Sequence, residues 1–348
     1  MRTVYLHPGI HGLDEMVKYL CLENVSQNLD LTWDETNPEV VIASEHIYKN
    51  PKMMKQLKRY YRQNAVMVYH AGEAAFPDLT VFDYAIAINT RLSNQDRITR
   101  IPPSKFYARS TIEDMKTNDM DESKAEELLK GKTGFCNFIY SNPVAHPMRD
   151  RLFYAISEYR LVDSLGSHLN NTKMKSTRHE KNWAVLSVRM KEPYKFTVAS
   201  ENALFDGYTS EKLLTSFQAH SVPIYWGNPY VAEEFNDEAF INCHKYRSVE
   251  EIVQRIKEID ENDALWTKMV SAPWQTDEQI RNTDLQMEEY ERFMTRLLTS
   301  DVEGIRRRPE GTFAKIYTDW FFKSYRMKNS FFRSVMNRIK RTIRSFRK

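Results

Sequence analysis

Short runs of β-branched and aromatic residues recur along this chain, each too short for a helix and several followed by residues at helical spacing. Val4–Leu6, Val40–Ala43, Ala65–His70 and Phe82–Ile88 form a first series. Runs of this length and composition read as buried strands. Between the second and third a helix is written out: Asn50 as cap, Pro51 in the first turn, then Met53, Met54, Leu57, Tyr60 and Tyr61 at helical spacing. Strands that alternate with helices imply a parallel sheet covered on both faces.

The pattern breaks after Ile101-Pro102-Pro103, and the chain stays polar and acidic through Gly131 apart from a predicted short helix at Glu122–Lys130. A second series then begins, with strands predicted near Phe135–Tyr140, Tyr194–Ala199, Val222–Trp226 and Ala239–Asn242. Helices are predicted near Met148–Glu158, Ser210–His220, Val249–Asp260 and Asp277–Thr299. The predicted organisation is an N-terminal domain with its linker at 1–131, a second α/β domain at 132–304 and a basic tail at 305–348. At 348 residues the length suits two domains. Two consecutive doubly wound units suggest a cleft between them.

Charge is segregated. The chain holds 50 Lys and Arg against 47 Asp and Glu, yet residues 321–348 contain ten of the basic residues and no acid. The body is therefore acidic and the positive charge belongs to the tail. Phe332, Val335, Met336, Ile339, Ile343 and Phe346 fall at spacings of three and four, a basic amphipathic helix that reads as an anchor for an anionic membrane surface. Docking of that helix on the acidic body is the alternative. Nucleic acid is not an expected partner, because the tail carries no recognised motif and the body would repel phosphates. No run of about 18 apolar residues occurs, and Met1–Pro8 lacks the regions of a signal peptide. The expected location is the cytoplasm of a bacterium, peripheral to the inner face of the cell membrane. Cys21, Cys136 and Cys243 lie far apart, which argues against a disulfide framework or a zinc site.

GxGxxG, GxxxxGK[ST], HExxH and GxSxG are all missing. One segment is more specific. Tyr194-Lys195-Phe196-Thr197-Val198-Ala199 is a strand that delivers Glu201 and Asn202 to its C-terminal end, where α/β sheets bind ligands. A loop through Gly207 and Tyr208 follows, and a helix opens at Thr209 or Ser210. Its free N–H groups, with Lys212 in the first turn, suit a diphosphate and could stabilise a departing nucleoside diphosphate without a metal. Taken singly, Glu211 and Lys212 could equally be solvated first-turn charges.

Together with Val222-Pro223-Ile224-Tyr225-Trp226-Gly227, this segment resembles the signature of the glycosyltransferase family 10 α-1,3/4-fucosyltransferases. Two further elements resemble that family in the same order: Gly72-Glu73 with Val81-Phe82-Asp83-Tyr84-Ala85-Ile86, and Phe138-Ile139-Tyr140-Ser141-Asn142-Pro143 with Pro147-Met148-Arg149. The resemblance covers roughly Ala65 to Pro273. It implies a GT-B-like fold of two Rossmann-like domains facing a cleft, GDP-fucose as donor, inverting transfer and no metal or other cofactor. It implies Glu73 as the base that takes the acceptor proton, with Arg149 and Lys212 neutralising the leaving diphosphate. Glu201, Asn202, Tyr208 and Glu211 become donor-binding residues. The expected acceptor is an oligosaccharide or glycolipid, with O3 of GlcNAc or Glc as the attacked hydroxyl.

Each residue also has a plainer reading. Glu73 could be an ordinary loop acid, Asp150 a simple partner for Arg149, Tyr225 and Trp226 core, and His70 and His146 structural. Ala74, Ser200 and Ser210 depart from the family pattern, the last keeping a capping hydroxyl. Two other functions compatible with the pattern are a GT-B transferase using a different nucleotide sugar and a catalytically silent, membrane-associated glycan-binding protein.

Overall fold

The computed structural model describes residues 1–7, 11–92, 96–108, 120–173 and 183–324. Among them eleven strands form two sheets, both parallel throughout. The expected α/β class with two parallel sheets is what the chain adopts. The predicted tail helix over Phe332–Phe346 lies outside the described residues.

The first sheet comprises β1 (Arg2–His7), β2 (Leu31–Trp33), β3 (Val40–Ser44), β4 (Val66–His70), β5 (Tyr84–Ile86) and β6 (Ile98–Thr99), in the order β2-β1-β3-β4-β5-β6. Central β3 and β4 are buried at every position, which is why their sequences are continuous apolar runs instead of alternating ones. The helix Pro51–Arg62 buries Met54, Leu57 and Tyr60, and its Asn50 cap accepts the Lys52 N–H at 2.9 Å as predicted. The second sheet comprises β7 (Gly134–Phe138), β8 (Val162–Ser164), β9 (Tyr194–Ser200), β10 (Val222–Trp226) and β11 (Ile241–Asn242), in the order β11-β10-β9-β7-β8. The strands missing from the prediction, β2, β6 and β8, all lie at sheet edges and are two or three residues long. So short a run carries no readable period.

The compact units divide the chain differently from the predicted boundaries at 131 and 304. One unit is Met1–Ile101 together with the chain from Glu288 onward, and the other is Pro102–Met287. The helix Glu122–Gly131 belongs to the second unit because Ala125 sits in its core and Leu128 and Leu129 pack against it. The tail start also needs correcting. Residues 312–324 are helical, and Phe321 and Phe322, expected to belong to a separable basic tail, are buried in the core of the first unit. Their rings meet Tyr48 and Tyr61 edge-on.

Asp83 ties this returning segment down. Its carboxylate is fully buried and accepts the N–H groups of Arg307 at 2.7 Å and Arg308 at 2.8 Å on one oxygen. The other oxygen accepts the Met67 N–H at 2.8 Å and the Arg308 guanidinium at 2.8 Å. Strand β5 starts at Tyr84 and not at Phe82 because the Phe82 N–H bonds the Asp78 carbonyl at 3.0 Å in the preceding turn. Removing one partner of a buried pair such as Asp83 and Arg308 costs about 3–5 kcal/mol. Asp83→Ala is therefore expected to destabilise the first unit by that amount and to raise amide exchange across residues 302–324. Unchanged exchange there would refute this role of Asp83.

Candidate active site

The site in the second unit is built around the C-terminal end of β9, the middle strand of its sheet. Buried Phe196, Val198 and Ala199 carry the chain to Ser200, Glu201 and Asn202. Glu201 is 0 % exposed. Its Oε1 accepts the Ser210 N–H at 2.7 Å, and its Oε2 accepts the Ser210 hydroxyl at 2.8 Å and the Lys212 ammonium at 3.0 Å. Ser210 caps the helix Glu211–Gln218, as its sequence position predicts.

The closeness of these groups has a backbone requirement. A Cβ on Gly227 would stand 2.4 Å from Cγ of Glu201, so only glycine leaves room for this carboxylate. Beside it, the Asn228 carboxamide accepts the Gly207 N–H at 2.8 Å and donates to Thr209 at 3.2 Å. The Tyr225 hydroxyl accepts the Asn228 N–H at 3.1 Å and donates to the Tyr208 carbonyl at 3.2 Å. Tyr225 and Trp226 are buried, as core residues should be, yet the Tyr225 hydroxyl also organises the loop that leads into the helix.

Charge at the site is unevenly compensated. Burial opposes ionisation of Lys212, but the carboxylates of Glu201 and Glu211 outweigh it and raise its pKa. Burial pushes Glu201 up while the Lys212 ammonium pulls it down. Arg149, in the first turn of the helix Met148–Tyr159, is 1 % exposed. It donates to Asn202 Oδ1 at 2.5 Å, to the Ser200 carbonyl at 3.3 Å and to the Asn142 carbonyl at 3.4 Å, with its guanidinium 4.1 Å from the Tyr140 ring centre. Among the described residues no carboxylate pairs with it. Asp150, the neighbour expected as a possible partner, binds His168 at 2.9 Å instead.

Arg149, Glu201, Asn202, Tyr208, Glu211 and Lys212 thus gather around one strand end. Glu201 and Tyr208, at 0 % and 3 % exposed, are enclosed, and the Glu201 carboxylate bonds Ser210 and Lys212. Glu73 belongs to the first unit, half-buried just beyond β4. His146 stacks on Trp226 at 4.4 Å, and its Nδ1 accepts the Met148 N–H at 3.2 Å. His70 is buried against Tyr19, and burial, with His46 nearby, lowers its pKa to about 4. Among the described residues no group of three or more His, Cys, Asp or Glu could hold a metal ion.

Sequence reading missed the role of Tyr140, a member of the Phe138–Pro143 element, whose hydroxyl accepts the Ser200 N–H at 2.7 Å and donates to the Val198 carbonyl at 2.9 Å. It also missed Lys191. That ammonium is buried beneath the helix Glu211–Gln218, 2.5 Å from the Thr215 hydroxyl and 3.3 Å from Ser216, with no carboxylate pairing with it among the described residues. Lys191 lies in no motif, and only the tertiary contacts mark the roles of the two residues.

Comparison with known proteins agrees with this geometry. The sequence model of the family described as "Glycosyltransferase family 10 (fucosyltransferase) C-term" matches residues 129–307, half of the chain. The alpha-(1,3)-fucosyltransferase FucT of Helicobacter pylori is 29% identical over 240 residues, 62% of this chain and 48% of that protein. The chain thus spans less than half the length of this curated relative. A crystal structure of an alpha1,3-fucosyltransferase superposes with a TM-score of 0.69 at 23% identity, over 89% of this chain and 93% of that one. A crystal structure of alpha1,3-fucosyltransferase with GDP-fucose gives 0.61 at 22% identity, over 83% and 90% of the two chains. At such identity the likeness is one of fold.

Lys191 yields a pH prediction. Burial depresses its pKa from 10.5 to about 7. Between those values the unfolded chain holds the extra proton, so stability rises with pH; below about 7 both states are protonated and the cost of burying the ammonium remains in full. Thr215 and Ser216 keep hydrogen bonds to the Glu211 and Lys212 carbonyls without it. Lys191→Met is therefore expected to be more stable than the parent near pH 6, with the advantage shrinking toward about pH 10 in denaturant titrations. A pH-independent difference would count against a buried ammonium.

Proposed function

We propose, from the premise that the chain belongs to glycosyltransferase family 10 (fucosyltransferase), that it transfers L-fucose from GDP-fucose to a hydroxyl of an acceptor glycan with inversion. The observation that carries this reading is Arg149: a buried guanidinium with no carboxylate pairing with it among the described residues, in the first turn of its own helix and bonded to the strand end that carries Glu201. An uncompensated buried cation is costly. The dianionic diphosphate of a nucleotide sugar offsets that cost and gains from the amide-rich start of the helix. Arg149 holds the Asn202 amide oxygen, and the Lys212 ammonium is held by Glu201 and Ser210 at the start of the neighbouring helix.

In this reading the acceptor oxygen forms the new bond to the anomeric carbon and gives its proton to Glu73. The bond from that carbon to the phosphate oxygen breaks, and GDP leaves with the electron pair, its charge met by Arg149 and Lys212. The attacked hydroxyl is O3 of GlcNAc or Glc. GDP and GDP-fucose should raise the melting temperature and UDP should not. Glu73→Gln should retain the GDP-induced shift but lose about 10²–10⁴-fold in turnover, the range of a general base. Equal shifts from GDP and UDP would overturn the donor assignment, and full turnover in Glu73→Gln would overturn the base.

The acceptor side of the proposal includes an anionic membrane surface. No described helix is long and apolar enough to cross a membrane. The 312–324 helix buries Thr318, Phe321 and Phe322 on one side, yet it exposes Phe313, Ile316, Tyr317 and Trp320, 88%, 61%, 37% and 58% accessible, on another. An apolar stripe rich in aromatics, leading into ten Lys and Arg with no acid, suits the interface of an anionic bilayer. Because Phe321 and Phe322 belong to the core, a deletion that tests this must begin after Ser324. Phe313→Ser with Trp320→Ser should weaken sedimentation with anionic vesicles and leave the melting temperature unchanged. Full vesicle binding by that double variant would refute a role for the stripe.

A further inference from the structure

Strands β3 and β4 run side by side in parallel register, Ser44 opposite His70, so the residues that follow each strand emerge together at one sheet edge. From β3 emerges Glu45; from β4 emerge Ala71, Gly72 and Glu73. Glu45 is 8 % exposed, and its Oε2 accepts the Gly72 N–H at 2.9 Å. Its Oε1 is buried, accepts no hydrogen bond among the described residues, and lies 3.3 Å from Nδ1 of His46. No lysine or arginine pairs with this carboxylate among the described residues. A Cβ on Gly72 would come within 3.1 Å of Oε1, so the glycine is what lets the acid approach. Glycine also has the widest conformational freedom of any residue, and here it stands directly before Glu73.

We infer that Glu45 is a positioning residue: its charge-assisted hydrogen bond to the Gly72 amide fixes the Ala71–Gly72 peptide immediately before Glu73 and so sets the direction of the proposed base. The inference rests on the reading of Glu73 given above. A buried acid with a single amide donor is an expensive way to stabilise a loop, since a neutral side chain could accept the same N–H at lower desolvation cost. The anion gives a stronger and more directional bond. A base must be held within a fraction of an ångström of its productive geometry, and a misplacement of about 1 Å costs about 10²-fold. The Glu45 charge also reaches Tyr19, whose pKa burial and this carboxylate push up to about 12, keeping that phenol protonated at the same edge.

The test is a double-mutant cycle between the two acids, read in kcat, in KM for GDP-fucose and in melting temperature. Glu45→Ala should lower kcat by about ten- to a hundredfold with KM for GDP-fucose and the GDP-induced thermal shift unchanged. Glu45→Gln, which keeps an oxygen toward Gly72, should recover most of that loss. In a Glu73→Gln background, Glu45→Ala should lower turnover no further, because there is then no base left to aim. Gly72→Ala, which crowds the carboxylate without removing it, should reproduce the Glu45→Ala kinetics and covers the case in which that variant does not fold. Wild-type kcat in both Glu45→Ala and Gly72→Ala, or a further loss from Glu45→Ala in the Glu73→Gln background, would overturn the positioning role while leaving the base assignment intact. Wild-type kcat in Glu73→Gln would instead overturn the base assignment, and the positioning role with it.

Discussion

A carboxylate sealed from solvent can stay charged only if donors close around it, and at the end of β9 those donors are Ser210 and Lys212. The arrangement around the proposed donor site follows from that need. Glu201 holds the helix cap and the lysine of the first turn in one place. Gly227 must lack a side chain for Glu201 to fit, and the Tyr225 and Asn228 polar groups then fasten the loop between strand and helix. Truncating Glu201 would leave Lys212 without its principal partner and the helix start without one of its acceptors. The cost of burying the acid is offset by the cation and the capped helix start that it holds at the strand end.

The first unit uses the same device for different ends. Asp83 collects four donors and binds the returning C-terminal segment to the sheet, a purely architectural use. Glu45 is the contrasting case, with one amide donor and one oxygen left over. Stability favours the fully satisfied carboxylate. The incompletely satisfied one sits directly beside the candidate base, where fixed geometry is worth more than stability.

Arg149 shows the third possibility, a cation whose compensation is not supplied by the fold. Aromatic contact with Tyr140 and neutral oxygens from Ser200, Asn202 and Asn142 make burial tolerable without cancelling the charge. A formal carboxylate partner would have stabilised the empty protein more and an anionic ligand less. Lys191 extends this bias under the helix Glu211–Gln218, its amine resting on the Thr215 and Ser216 hydroxyls and the Lys212 carbonyl.

Much of the fold was legible because its central strands are buried on both faces. Val40–Ser44, Val66–His70 and Val222–Trp226 are buried at every position and largely apolar, Phe196–Ser200 is the buried part of β9, and the capped helices between them carry their own start signals. The edge strands β2, β6 and β8 were illegible, since two or three residues with one protected face have no period to read. The motif segment brought Arg149, Asn202 and Lys212 into view, and the helix cap at Ser210 was readable from the position alone. The roles of Tyr140, Lys191 and Glu45 were not, because the partners of these residues lie 60, 24 and 27 residues away and share no spacing rule with them. The division of the chain into units was likewise a tertiary decision: a basic, aromatic segment reads as a detachable tail until Phe321 and Phe322 are seen in the first core. Local pattern determined which residues became strands and helices and which strand end bears the site. Long-range packing decided which charges there are paired within the fold and which are not, because compensation depends on distances that no sequence interval encodes.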